Sequence, residues 1–172
     1  MRLLGTISLL GLLGVMPALT AELPSRKPGL WEMKMSFENR NIPGQTMQQC
    51  IDAATDQMMQ SRAGSGGETA CSKRDVQRSA SGITVDSTCT VGGKTTTSHA
   101  AITGSFDSAY TMTVTSDSAA APGGKSIMTM AAKWLGPCAA DQRPGDMIMA
   151  NGTKINVLDM QKRGGQAKPG RP

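Results

Sequence analysis

Residues 83–102 read ITVDSTCTVGGKTTTSHAAI and carry the clearest structural signal in the chain. Apolar and polar residues largely alternate over 83–91, and the Gly-Gly pair at 92–93 that follows favours a two-residue hairpin turn. Pairing Val91 with Lys94 brings the apolar residues of the two strands onto one face. The cross-strand pairs on that face are Val85 with Ala100 and Ile83 with Ile102. The stretch therefore predicts an antiparallel hairpin with one buried face.

Alternation with a period of two recurs in other short segments, often with threonine or serine on the polar side. Asp52 is a suitable N-cap for one short helix over 53–60. The other predicted strands cover 29–37, 45–51, 109–115 and 126–134, and a last hairpin over 146–158 turns at Asn151-Gly152. The sequence therefore predicts a mainly β fold, a curved or partly closed antiparallel sheet with one short helix, stapled by disulfides.

Composition divides the chain of 172 residues into three regions. Residues 1–21 combine Arg2, an apolar run over 3–15 and small residues before Glu22, which is the pattern of a secretory signal peptide. An uncleaved N-terminal anchor is the alternative, but the run is shorter than the roughly 20 residues that span a bilayer. Residues 22–160 are predicted to form a single β-rich domain, and 161–172 a disordered basic tail. We expect a periplasmic or secreted protein without a membrane span.

The predicted mature chain is poor in the residues that build large cores. From residue 22 onward it has 4 Leu, 7 Ile, 5 Val and 2 Phe, which is 18 of 151 residues and below the roughly 20% typical of packed domains. Eleven Met partly compensate. This composition excludes a large enzyme core, a coiled coil and a multi-span membrane protein. Between 22 and 161 the 13 basic residues balance the 13 acidic ones, so no nucleic-acid partner is predicted.

Four cysteines in an exported chain favour two disulfides. Cys71 and Cys89 are equally far from Ala80 in a predicted hairpin turn, so they could face each other across the two strands. This favours Cys71–Cys89 together with Cys50–Cys138. Cys50–Cys71 with Cys89–Cys138 remains an open alternative. A zinc site is disfavoured because the chain has no Cys-x-x-Cys pair and a single His.

The methionines allow three interpretations. Met-x-Met pairs at 33/35, 128/130 and 147/149 each place two thioethers on one face of a strand, about 7 Å apart. They could fill a loosely specified core, form an adaptable apolar surface for a ligand, or bind Cu(I) through soft sulfur ligands. The candidate apolar ligand face consists of Trp31, Met33, Met35, Met112, Met128, Met130 and Trp134.

No catalytic, metal-binding or cofactor-binding residue is predicted. His99, the single His, lies in the middle of a predicted strand, and no glycine-framed Ser accompanies it. A hydrolase that uses His99 is the least favoured alternative.

Five short motifs occur in a fixed order along the chain. They are KPGLWE at 27–32, QCI at 49–51, the Cys71 and Cys89 pair around a hairpin, LGPC at 135–138, and RPGDM at 143–147 followed by Asn151-Gly152 and Lys154. In this order they resemble the domain-of-unknown-function family 3617 of exported Gram-negative bacterial proteins, from about residue 26 to 159. The resemblance implies export and a fold type, and no activity. The Met/Pro-rich insertion that often follows the first strand in such proteins is reduced here to 41–44.

The sequence thus predicts an exported, non-catalytic binding or interaction module. Its partner would be an apolar small molecule, a lipid or another protein, and the alternative is a copper-handling protein. A binding module requires a methionine face that is open to solvent, or an apolar pocket beneath the helix. Copper handling requires two or three methionine sulfurs that converge.

Overall fold

The structure is a computed structural model that describes residues 22–38, 42–63, 70–91, 93–118 and 124–164. The predicted signal peptide and residues 165–172 of the predicted tail lie outside these ranges. Within them the chain forms nine strands and two helices. The elements are β1 Gly29–Glu38, β2 Gln45–Ile51, α1 Ala53–Ala63, β3 Ala70–Ser79, β4 Gly82–Val91, β5 Lys94–Ser105, β6 Ala109–Ser118, β7 Lys125–Gly136, β8 Asp146–Met149, β9 Lys154–Asn156 and α2 Val157–Gly164.

All nine strands belong to one open antiparallel sheet, in the order β3-β4-β5-β6-β7-β1-β2-β8-β9. Strands β3 to β7 follow one another as a meander, and β1 then pairs with both β7 and β2. The hairpin register predicted from the Gly-Gly turn is confirmed, because Val91 pairs with Lys94 and Ile83 with Ile102. The prediction of a mainly β, disulfide-stapled antiparallel fold is likewise confirmed.

One face of the sheet, called here the inner face, carries most apolar side chains in cross-strand rows. The row nearest the middle of β4 is Val76, Val85, Ala100, Val114 and Met128. The next row is Ile83, Ile102, Met112, Met130 and Met35. A third row holds Tyr110, Ala132, Met33 and Met47. The outer face opposite them is rich in threonine, as the alternation predicts.

The buried core lies where β1, β6 and β7 meet on the inner face. Its buried members are Trp31, Met33, Ile51, Ile102, Tyr110, Met130 and Ala132. Residues 22–28 and α1 pack over this part of the sheet. The core is small, as the scarcity of Leu and Phe predicts, and methionine takes the place of the missing aliphatic residues.

Two disulfides link Cys50 to Cys138 and Cys71 to Cys89. The first joins the buried end of β2 to the segment that follows β7, and the second joins the edge strand β3 to β4. This is the pairing that the symmetric position of Cys71 and Cys89 around the β3–β4 turn favours.

The backbone at position 29 explains why the KPGLWE motif contains a glycine. Gly29 has φ = 132°, a conformation that residues with a Cβ rarely adopt. A Cβ at this position would also collide with the Gly136 carbonyl oxygen and lie 2.6 Å from Nε1 of Trp134. Only glycine therefore lets β1 begin this close to the end of β7.

The helices differ from the prediction in extent and number. Asp52 is the N-cap of α1 as predicted, since its Oδ1 accepts a hydrogen bond of 2.8 Å from the Thr55 backbone N–H. The helix continues to Ala63 instead of ending at residue 60. The second helix, α2, was not predicted. It begins because Oδ1 of Asn156 accepts hydrogen bonds from the N–H groups of Leu158 and Asp159, a cap that the strand-like alternation concealed.

The turn before β8 is held by Asp146. Its carboxylate accepts hydrogen bonds from the Arg143 backbone N–H at 3.0 Å and from the Asn156 side chain at 2.8 Å, and Lys154 lies 3.5 Å away. Burial acts to raise the pKa of Asp146, but these donors outweigh it and hold the pKa below its usual value. The RPGDM segment thus has a structural role. In the described part of the chain, neither helix is long and apolar enough to cross a membrane.

Candidate functional site

A cavity of about 600 Å³ lies between the inner face of the sheet and the covering formed by residues 22–28 and α1. Its floor consists of apolar side chains from β1 and from β4 to β7. These are Met33, Val85, Ala100, Ile102, Tyr110, Met112, Val114, Met128 and Met130, with Phe106 from the β5–β6 turn. Leu23, Met59 and Gln60 line it from the covering side. The cavity is thus an extension of the core that side chains do not fill.

One end of the cavity, called here the closed end, is sealed by a buried ion pair. Nε of Arg26 lies 2.7 Å from Oδ1 of Asp56, and the two side chains are only 6% and 0% exposed. The Arg26 guanidinium also donates to Oε1 of Gln49 at 3.1 Å, and Gln60 donates to Oδ2 of Asp56 at 2.8 Å. Both charged groups of the pair are also hydrogen-bonded to neighbouring side chains. The pair therefore links residues 22–28, α1 and β2.

Aromatic rings continue the closed end below this ion pair. Tyr110 stacks on Phe106 with ring centroids 4.6 Å apart, and it lies 5.8 Å from Trp31 in a tilted arrangement. Arg26 lies 5.9 Å from the Trp31 ring centroid. Burial raises the pKa of Tyr110 above its usual value of 10.0. The rings form a rigid apolar wall at this end of the cavity.

The opposite end, called here the open end, is polar and solvent-exposed. Arg74 of β3 lies on the cavity wall, and Ser87 and Ser98 are its register neighbours on β4 and β5. The two serine hydroxyls are hydrogen-bonded at 2.7 Å. Among the described residues, no side chain forms an ion pair or a hydrogen bond with Arg74. The Cys71–Cys89 disulfide borders this end.

The predicted ligand face divides into three groups in the structure. Four of its residues, Met33, Met112, Met128 and Met130, line the cavity together. Trp31 is fully buried in the core. Met35 packs against the core outside the cavity lining, and Trp134 lies beneath Lys27, whose Nζ is 3.8 Å from the ring centroid. The cavity therefore uses the methionines of the face, while the two tryptophans hold its framework.

His99 lies on the outer face, away from the cavity. Its Nδ1 is 2.8 Å from Oδ1 of Asp86 on the neighbouring strand, and both side chains are largely exposed. The nearest serines in the register, Ser87 and Ser98, alternate to the inner face and bond to each other. Within the described ranges, no group of three or more His, Cys, Asp or Glu residues could hold a metal ion.

Several residues of the site were not predicted from the sequence. Arg26 comes from the segment before β1, and Asp56 and Gln60 come from the predicted short helix. Their pairing over 30 or more residues has no local sequence signal. Arg74 was equally overlooked, although strand alternation with Val76 on the inner face could have identified it.

Neither the curated proteins nor the solved structures include a match to the chain. The family model described as "Protein of unknown function (DUF3617)" matches residues 26–138, about two thirds of the chain. The matched segment begins at the buried Arg26 and ends at Cys138, so it includes all residues of the cavity lining except Leu23. The chain therefore belongs to the DUF3617 family.

Proposed function

We propose that the protein is a non-catalytic binding protein that takes an apolar ligand into the cavity under α1. The observation that carries this proposal is the unfilled, largely apolar space of about 600 Å³ on the inner face. Ligand sites in proteins have volumes of about 300–1,000 Å³ and are lined mainly by apolar side chains with a few polar groups. Both features fit this cavity.

The chemistry of the lining supports a flexible apolar ligand. Four methionines of the sheet and Met59 of α1 contribute unbranched thioether side chains, which adapt to different shapes at low energetic cost. Each CH₂ group transferred into such a cavity contributes about 0.8 kcal/mol, so two added carbons tighten binding about tenfold. We therefore expect affinity to rise with the chain length of a linear ligand until the cavity is full.

We place the protein outside the cytoplasm. Support comes from the two disulfides, which persist in oxidising compartments, together with the signal-like residues 1–21. A small exported carrier or sensor for an apolar compound fits these features.

The test is a fluorescence titration with the neutral apolar dye N-phenylnaphthylamine. The variant Ala100→Phe places a ring inside the cavity, because Ala100 lies on its floor. The matched control is Ala101→Phe, one residue along the same strand and on the outer face between Thr84 and Thr113. We expect saturable binding to wild type and to A101F, and a loss of about tenfold or more in A100F. Equal affinities of the two variants, or no saturable binding to wild type, would overturn the proposal.

A second candidate function is Cu(I) handling, which one specific observation favours. Met35, Met130 and Met112 occupy directly opposed positions on three neighbouring strands, so three thioethers share one row. A Cu(I) titration against a chromophoric chelator tests it, with Met112→Leu/Met130→Leu as the variant. Loss of a saturable copper site with unchanged dye affinity would favour copper, whereas the absence of a saturable site in wild type would exclude it.

A further inference from the structure

The charged residues around the cavity are not balanced. Its lining contains two arginines, Arg26 and Arg74, and no carboxylate among the described residues. Asp56 neutralises Arg26 at the closed end. Arg74 at the open end has no such partner in the described part of the chain. The cavity therefore combines an apolar interior with one positive charge at its mouth that has no ion-pair partner among the described residues.

Along the strands, the side chains of the inner face change from apolar to polar between one row and the next. Next to the apolar row that contains Val85 and Val114 lies a row of hydroxyl groups that ends in Arg74. Its members are Arg74, Ser87, Ser98, Ser116 and Ser126, each opposite the next on neighbouring strands. Successive rows on one face are about 7 Å apart. A linear ligand that lies along the strands would thus pass from apolar to polar contacts over one row.

We propose that the ligand is a single-chain amphiphile with an anionic head, a carboxylate or a phosphate. This inference rests on the proposed function, because it assumes that the cavity takes up the apolar chain. The chain lies against Val85, Met112 and their row neighbours, and the head group contacts Arg74. The arginine guanidinium suits carboxylates and phosphates equally, because its N–H groups can donate two parallel hydrogen bonds.

The hydrogen-bonded pair Ser87 and Ser98 also favours an anionic head group at the open end. When Ser87 and Ser98 bond to each other, one of the two hydroxyl protons remains available for an acceptor. The open end therefore offers an anion a cation and a hydroxyl donor side by side, whereas a cationic head group would be repelled by Arg74. The closed end cannot hold the head, since the Arg26 guanidinium is already engaged by Asp56 and Gln49.

The test compares four twelve-carbon amphiphiles that differ only in the head group: laurate, dodecyl phosphate, dodecanol and dodecyltrimethylammonium. Each is tested for displacement of the neutral dye at concentrations at which it is dissolved as single molecules. The variant is Arg74→Gln, and the control is Lys73→Gln, which removes the same charge from the outer face, where Lys73 pairs with Thr88 directly after the bulge. We expect at least one anion to bind wild type and K73Q about tenfold or more tightly than dodecanol, and to lose that advantage in R74Q.

The outcomes separate this inference from the proposed function. Higher salt should weaken binding of the anions and leave dodecanol binding nearly unchanged, since only the anions use Arg74. If only laurate or only dodecyl phosphate exceeds dodecanol, that head group is identified and the inference stands. If all four ligands bind equally, or R74Q keeps the preference for anions, the inference fails while the apolar cavity stands. If none of them displaces the dye, both fail.

Discussion

Arg26 and Arg74 lie at the two ends of one cavity, and their surroundings are opposite. Arg26 is 6% exposed and donates hydrogen bonds to Asp56 and Gln49. Arg74 is exposed and unpaired among the described residues. A buried, fully bonded arginine fixes a structure, whereas an exposed arginine beside an apolar cavity can meet a ligand. The comparison assigns stability to the closed end and ligand contact to the open end.

The same contrast extends to the apolar side chains. At the closed end, Trp31 and Ile51 are almost completely buried. Toward the open end, Val85, Val114 and Met128 of the cavity floor are only half-buried. Half-buried apolar residues on an inner face still gain free energy when a ligand covers them. The two ends can therefore be tested separately by variants of matched chemistry.

The disulfides provide the largest contrast, since Cys71–Cys89 borders the open end, whereas Cys50–Cys138 lies outside the cavity lining and follows Gln49, the partner of Arg26. We expect C50A/C138A to lower the free energy of unfolding by about 4–5 kcal/mol and C71A/C89A by about 3 kcal/mol, because the first closes the longer loop. Urea unfolding of the two double variants measures both values. C71A/C89A should also weaken laurate binding, because it loosens the edge strand that carries Arg74. A larger loss of unfolding free energy in C71A/C89A than in C50A/C138A would contradict the assignment of stability to the closed end.

The two arginines provide the second contrast. Arg26→Met leaves the Asp56 carboxylate buried without its partner, and we expect a loss of about 3–5 kcal/mol in the free energy of unfolding. Arg74→Met removes an exposed charge and should change it by about 0.5 kcal/mol or less. Urea unfolding at neutral pH measures both. Similar losses in the two variants would mean that Arg74 contributes as much to the free energy of unfolding as Arg26 does.

Loss of the N-cap of α1 should lower the free energy of unfolding by a smaller amount. Asp52→Ala removes the acceptor for the Thr55 N–H, and we expect a loss of about 1 kcal/mol at pH 7. The Thr55 backbone hydrogen bond holds the pKa of Asp52 below its usual value. A lowered folded-state pKa gives stability that is complete above the unfolded pKa of about 3.9 and is lost as the pH falls through the folded value.

The pH dependence of this cap has its own control. Asp52→Asn keeps a capping oxygen without a titrating group. The stability advantage of wild type over D52N should therefore decrease as the pH falls from about 5 toward 2. A constant difference over this range would show that the Asp52 charge contributes nothing to the stability of α1.

Local patterns were sufficient to predict most strands and the pairing within hairpins, but not the order of the strands in the sheet. The two-residue turn at 92–93 predicted the register of Ile83 with Ile102, and the position of Cys71 and Cys89 around one turn favoured their disulfide. The strand that carries Met33 was predicted over 29–37 and extends over Gly29–Glu38, whereas the strand predicted over 109–115 continues to Ser118. These features depend on neighbours that are close in sequence, which a pattern can reveal.

The site depends on contacts between distant segments, and these left no pattern. Arg26 and Asp56 are 30 residues apart, and neither flank indicates burial. The helix α2 was missed because its cap, Asn156, follows a segment with strand-like alternation. Which methionines line the cavity depends on how far the sheet curves and where α1 covers it. Met35 and Met130 oppose each other in register, yet only Met130 lines the cavity.

The central claim is that the cavity under α1 holds an apolar chain, and methionine-methyl NMR tests it most directly. The protein labelled with ¹³C at its methionine methyl groups is titrated with dodecanol, which has no charge. We predict saturable shifts for Met33, Met59, Met112, Met128 and Met130, which line the cavity, and none for the exposed Met160. Unchanged signals from the five lining methionines at saturating dodecanol, or shifts confined to Met160, would contradict the claim.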